Sequence, residues 1–199
     1  MNVQTGLEML VKAKPRLLRG RRAGLLCHPA SVSASLAHAA DLVAGITDLR
    51  CLLGPEHGVR GDVQDMASVG HQKDPRLGLP VHSLYGSTVE SLRPDAAALD
   101  GLDLVIVDLQ DVGSRYYTYV WTMVMTMEAC AEAGVEVMVL DRPNPLGGLA
   151  VEGPGIEAGF DSFVGYHPVC TRHGMTAGEI ARMARAELDL DLALEVVPM

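Results

Sequence analysis

Short apolar runs alternate along the chain with stretches of helical periodicity. Residues 22–27 (RAGLLC) and 48–53 (DLRCLL) read as strands, as do a short run near 80–84, 103–108 (DLVIVD) and 135–140 (VEVMVL). Between them lie helical stretches at 34–44, capped by Ser33 or Ser35, near 94–100 behind Pro94, and at 116–133, closed by Gly134. A helix over 176–188 opens on Thr176 with Glu179 three residues on, the spacing of a capping box. The last apolar run, LALEVVPM, resembles a further strand. Near-continuous apolar strands separated by helices predict an α/β fold: a mostly parallel sheet with helices on both faces.

In open sheets of this kind ligands bind beyond the carboxyl ends of the strands. Polar loop residues recur at those places. His28 follows the first strand, GPEHGVRGD (54–62) the second, Asp108 and DVGSRYYTY (111–119) the clear central one, and DRPNP (141–145) the next. Four strands that each deliver charge to one rim predict a site there.

Composition adds limits. At 199 residues, with 48% hydrophobic and 21% charged residues, the chain fits one soluble domain, 1–199, with a core that needs no metal or disulfide. A net charge of −9 lacks the basic footprint of a nucleic-acid binder. Cys27, Cys51, Cys130 and Cys170 are scattered, form no CxxC pair and read as free thiols. No basic leader with a long apolar core opens the chain and no run reaches the roughly 20 residues of a membrane span, so a soluble, cytoplasmic protein is expected.

The first strand-to-helix turn, CHPASVSAS, holds no glycine, so the dinucleotide fingerprint GxGxxG is missing, as is GxxxxGK[ST]. No GxSxG elbow surrounds Ser114. No cofactor is expected. His57, Asp108, Asp111, Asp141 and His173 have the chemistry of metal ligands but no ligand spacing, and no metal is assigned.

Carboxylates remain. Glycoside hydrolysis commonly uses one carboxyl to protonate the leaving oxygen and a second as nucleophile or base. Glu56, flanked by Gly54, Gly58 and Gly61 and beside His57 and Arg60, is the first candidate. Asp108 and Asp111 arrive from another strand; Asp111 is the better placed to point outward, while Asp108 caps the strand end or holds Arg115. Arg60, Arg115, Arg142 and Arg172 either read an anionic substrate group or neutralise neighbouring carboxylates. Aromatics are few, yet Tyr116, Tyr117, Tyr119 and Trp121 cluster: Tyr116 suits a cleft that stacks sugar rings, and Trp121 the core. Met123, Met125 and Met127 read as core packing.

The stretches LLGPEHGVRGD, GLPVHSLYG, VDLQDVGSRYYTY, VLDRPNPLGG, VEGP and SFVGYHPVCTRHGMTAGE, in this order, resemble the exo-β-N-acetylmuramidase family from about Gly6 to the C-terminus. The resemblance implies a Rossmann-like N-terminal catalytic domain, with the family's C-terminal domain absent here. It also implies release of terminal N-acetylmuramic acid from the non-reducing end of peptidoglycan fragments. By carry-over of GPEHG, Glu56 is the acid/base, and Asp111 the second carboxylate. His57, Arg60, Arg115, Tyr116, Arg142, Arg172 and His173 become candidate substrate contacts, the arginines for the lactyl carboxylate. A non-catalytic sugar-binding domain and a metal-dependent hydrolase are the alternatives. Where family members carry a TNPTG-like segment after the first strand, this chain has Cys27-His28-Pro29-Ala30-Ser31.

Overall fold

The computed structural model describes residues 3–13, 15–60, 72–86 and 88–199. Four largely buried segments and one partly buried segment form the parallel core of the sheet: β1 (Arg22–Cys27), β2 (Asp48–Gly54), β5 (Leu104–Asp108) and β6 (Glu136–Leu140), with β7 (Leu194–Val197) the partly buried one. The short β4 (Pro80–Ser83) joins them in parallel, and β3 (Gln72–Lys73) pairs antiparallel with β4 at the edge. The order is β3-β4-β2-β1-β5-β6-β7. Without β3 this is the strand order of a doubly wound dinucleotide-binding fold, and the order reverses between β1 and β5.

Alternating strand residues feed two cores. Leu26, Leu53, Val105, Val107, Val137 and Val139 face α3 (Ala96–Leu99), α4 (Tyr119–Ala133) and α5 (Ala177–Glu187). Leu25, Leu52, Ile106, Met138 and Leu140 face α1 (Gly6–Ala13) and α2 (Ala39–Ala44). Both faces are covered, as the apolar pattern predicts. Trp121 is fully buried, Met123, Met125 and Met127 lie inside, and all four cysteines are free, three of them buried. No helix among the described residues is long and apolar enough to cross a membrane.

Local chemistry sets most boundaries. Gly134 ends α4 in the left-handed region, φ +67°, where its N–H returns to the last turn. Thr176 and Glu179 form the reciprocal capping box of α5. The predicted helix over 34–44 is shorter. Ser33 Oγ accepts from Ala37 N, Val32 bridges His38, and Leu36 takes φ +61°, so these residues close a tight turn. Helix α2 then starts behind His38, whose ring nitrogen accepts from Ala40 N. Among the described residues, β3, α1 and the short 3-10 helices Pro15–Leu18 and Val89–Leu92 have no counterpart in the sequence reading.

The switch point between β1 and β5 is closed by polar side chains. Asp108 accepts from Arg142 Nε at 2.6 Å and Nη2 at 2.8 Å, with the aspartate fully buried. Ser31 Oγ donates to Asp108 O and accepts from His28 N. His28 Nε2 accepts from Gln110 N at 2.9 Å, which leaves its proton on Nδ1. Burial, then the charges of Arg142 and His38, lower its pKa to about 4.

Two predictions follow from this packing. A β-carbon on Gly6 would lie 2.4 Å from Asp141 N and 2.6 Å from Val197 O, both backbone, whereas one on Gly134 meets nothing within 4 Å. In urea unfolding, Gly6→Ala should cost about 1–3 kcal/mol by overpacking. Gly134→Ala should cost about 1 kcal/mol through its positive φ alone. Asn, which tolerates that φ, should recover stability at 134 but worsen it at 6; equal responses at both positions would refute the distinction. The second concerns pH. The unfolded chain protonates His28 near 6.5 while the native one resists to about 4, so the unfolded state binds more protons between them. Stability should therefore hold above 6.5 and fall as the pH drops towards 4, by up to about 3 kcal/mol from this residue. His28→Gln, which keeps an acceptor for Gln110 N–H, should flatten that slope.

Candidate active site

Strand β2 ends at Gly54 and the chain turns at once. Gly58 N donates to Pro55 O at 2.9 Å, and His57 takes φ +69°, the positive third position of a type II turn. A non-glycine residue held there is strained, and such strain collects at functional sites. The turn projects Glu56 from the rim with its side chain 29% exposed. Gly61 and Asp62 of the same motif lie outside the described residues.

Helix α4 receives that carboxylate. Thr118 stands at the N-cap but makes no capping bond with its side chain. Its hydroxyl donates instead to Glu56 Oε2 at 3.1 Å. Tyr119 OH donates to the backbone oxygen of Glu56 at 3.3 Å. The helix N-terminus adds its positive end to the same place. Tyr85, beyond β4, also feels this charge: Glu56 raises its pKa, chiefly through the carboxylate's field and then through burial. Glu56 Oε1 has the ring of His57 4.0 Å away, itself 65% exposed. The sequence reading did not single out Thr118, Tyr119 or Tyr85 as partners of Glu56. Tyr119 belonged to the noted aromatic cluster and Thr118 lay inside it, which was the one hint at these two.

The connection from β5 to α4 carries the second carboxylate. Asp111 is buried, 4% exposed, and its Oδ2 accepts from Gly113 N at 2.7 Å and from His173 Nε2 at 3.1 Å. His173 Nδ1 accepts from Met175 N, so the imidazole proton sits on Nε2 and points at Asp111. The imidazole is itself fully buried. Asp111 Oδ1 is buried with no hydrogen-bond partner among the described residues, a state native proteins rarely leave unexplained. The same connection therefore begins at Asp111 and ends at Thr118, the residue that holds Glu56.

The arginines divide. Arg60 donates to Asp74 and Asp41, Arg142 to Asp108 and Val32 O, and Arg172 to Glu152 and Leu146 O. Arg115 Nη1 instead donates to two carbonyls, Pro154 O and Val169 O, each at 2.7 Å. Tyr116 is 55% exposed and its ring lies 5.2 Å from the Arg115 guanidinium. Of the residues expected at the site, Glu56, His57 and Tyr116 open to solvent. Asp111, His173, Arg115 and Arg142 are buried, Arg60 points into its own carboxylate pair, and Arg172 is paired with Glu152.

Of the residues with metal-ligand chemistry, Asp111 and His173 meet each other, Asp108 is engaged by Arg142, and Asp141 by Thr176 Oγ1 and Gly178 N. The described residues hold no group of three or more potential ligands.

A family model described as Exo-beta-N-acetylmuramidase NamZ, N-terminal, matches residues 23–199. The chain is 45% identical over 199 residues to the peptidoglycan beta-N-acetylmuramidase NamZ of Bacillus subtilis (strain 168), covering 99% of this chain and 47% of that protein. Two crystal structures of DUF1343 family proteins from Bacteroides fragilis NCTC 9343 are similar throughout. One has a TM-score of 0.87 and 41% identity, over 98% of this chain and 49% of that one. The other has a TM-score of 0.82 and 32% identity, over 100% of this chain and 52% of that one. The chain thus spans about half the length of the relatives it matches. A match that runs from the second residue of β1 to the final methionine assigns the chain to the exo-β-N-acetylmuramidase NamZ family, in the part the family model describes as N-terminal.

Proposed function

We propose that this chain carries the catalytic rim of a glycoside hydrolase that releases terminal N-acetylmuramic acid from the non-reducing end of peptidoglycan fragments. One observation carries the reading: Glu56 stands half-open on the rim, in a strained turn, with one carboxyl oxygen held by Thr118. The kinship with a peptidoglycan beta-N-acetylmuramidase supports the substrate class.

In this proposal Glu56 protonates the glycosidic oxygen of the departing sugar. Thr118 fixes Oε2, so Oε1 is the oxygen left to meet the substrate. The anomeric carbon loses that oxygen and gains the oxygen of a water, whose proton passes to Glu56 in a retaining course and to Asp111 in an inverting one. Asp111 supplies the second carboxylate: His173 and Gly113 hold Oδ2, and Oδ1 has no protein partner among the described residues and is available to the sugar or a water. His173 acts through Asp111, since its ring is closed to solvent. A sugar-binding role without hydrolysis is the other reading, and the burial of Asp111 favours it to the extent that a second carboxylate must reach its substrate.

Release of a chromophore from an aryl N-acetylmuramide, with and without chelator, tests these readings together. Release that ignores the chelator supports carboxylate catalysis; chelator sensitivity would point to a metal. No release by this chain, nor by one extended to the length of its relatives, would sink the hydrolase. Glu56→Gln should lower turnover by about 10²–10⁴ with an unchanged melting transition. A collapsed transition would make Glu56 structural. Asp111→Asn should bring a comparable loss, and full activity in that variant would remove Asp111 from the mechanism.

A further inference from the structure

The four arginines of the sequence reading differ in what their charge already faces. Arg60 faces Asp74 and Asp41, Arg142 faces Asp108, and Arg172 faces Glu152. Among the described residues Arg115 has no carboxylate within ion-pair distance. It is nonetheless only 6% exposed. The carbonyls of Pro154 and Val169 satisfy two of its donor directions but leave its charge standing. The face of Tyr116 offsets part of it. A buried cation without a counter-charge is costly, and a site that recruits an anion gives that cost a use.

Arg115 also lines a cavity of about 290 Å³. Its other walls include Tyr116 and, from the loop beyond Pro154, Ile156, Phe160 and Val164. Tyr116, Phe160 and Val164 are 55%, 73% and 48% exposed, so the cavity offers apolar surface to a ligand and not only to itself. Glu157 is exposed and is the one carboxylate of the lining. Two indirect links connect the cavity to Glu56, through the chain at Tyr116 and through the loop at Phe163. Tyr116 precedes Thr118 by two residues, and Phe163 of the same loop lies 6.4 Å, ring to ring, from Tyr85.

We infer that this cavity receives the carboxylate-bearing substituent of the sugar, its charge on Arg115 and its apolar part against Tyr116 and Phe160. The inference rests on the muramic acid reading above, because the lactyl ether is what distinguishes that sugar from N-acetylglucosamine. It names Arg115, rather than Arg60, Arg142 or Arg172, as the residue that reads the substituent.

Binding to the 199-residue chain, followed by NMR shifts or calorimetry, separates charge from bulk. The ligands are N-acetylmuramic acid, its lactyl carboxamide and N-acetylglucosamine. The acid should bind about tenfold more tightly than either neutral sugar, the size of one charge-assisted contact. Val164→Glu adds a carboxylate to the cavity wall without touching the Arg115 bonds. It should cut affinity for the acid about tenfold more than it cuts that for either neutral sugar. Arg115→Met should abolish the discrimination, but it also frees the loop, so Val164→Glu is the decisive variant. Equal affinity for all three ligands, no measurable binding of the acid, or a Val164→Glu effect shared by all three would each overturn the inference. Preference for the acid with no chromophore release would leave this cavity standing and remove only the hydrolase.

Discussion

The bidentate pair between Asp108 and Arg142 lies in the interior at the point where the strand order reverses, and the rim is assembled around it. Asp108 ends β5 and Arg142 follows β6, while the same guanidinium takes Val32 O from the loop after β1. Ser31 and His28 complete the joint from the β1 side. Replacing such a pair by apolar residues is often neutral, so its net contribution to stability is small; removing one partner alone strands a charge and is costly. Its larger effect is positional. Three strand ends are fixed to one another, and the connection that leaves Asp108 runs through Asp111 to Thr118. Asp111, and the Thr118 that holds Glu56, therefore follow in the chain from a pair almost closed to solvent.

Much of the fold was legible because its signals are local. Apolar runs of the right length marked the strands, and their near-continuous character marked burial on both faces. Gly134 and the Thr176–Glu179 box fixed helix ends from a few residues each. Helix α1 carried a similar signal: Thr5 and Glu8 exchange the bonds of a capping box, readable as T-x-x-E. Strand β3 could not be read, since two residues become a strand only through their neighbour. The start of α2 was misplaced because Ser33 looks like a cap in sequence, while its hydroxyl serves a turn.

The site was legible to the extent that it follows strand ends. Glu56 emerges from β2 and Asp111 from just beyond β5, where the topology puts them. The partners of those carboxylates were not legible, because they depend on contacts between distant segments. Thr118 reaches Glu56 across 62 positions, and His173 reaches Asp111 across another 62. A hydroxyl has no spacing rule that announces such a contact. The arginines make the same point from the other side. Arg60 and Arg142 sit beside promising motifs, yet their charge is taken up by Asp74 and by Asp108.

Arg115 has one more effect, through chain entropy. Its Nη1 joins Pro154 O and Val169 O, the two stems of the loop that bears Phe160 and Val164. One side chain thus closes a loop much as a disulfide would, and restricts it by a similar argument from loop closure. The backbone oxygen of Arg115 is in turn held at 2.7 Å by the indole nitrogen of the fully buried Trp121. The clasp is hydrogen-bonded rather than covalent, and Phe163 and Tyr166 between its stems pack on the core. The loop is thereby held at both stems by a latch anchored in the core, while Phe160 and Val164 stay exposed on it.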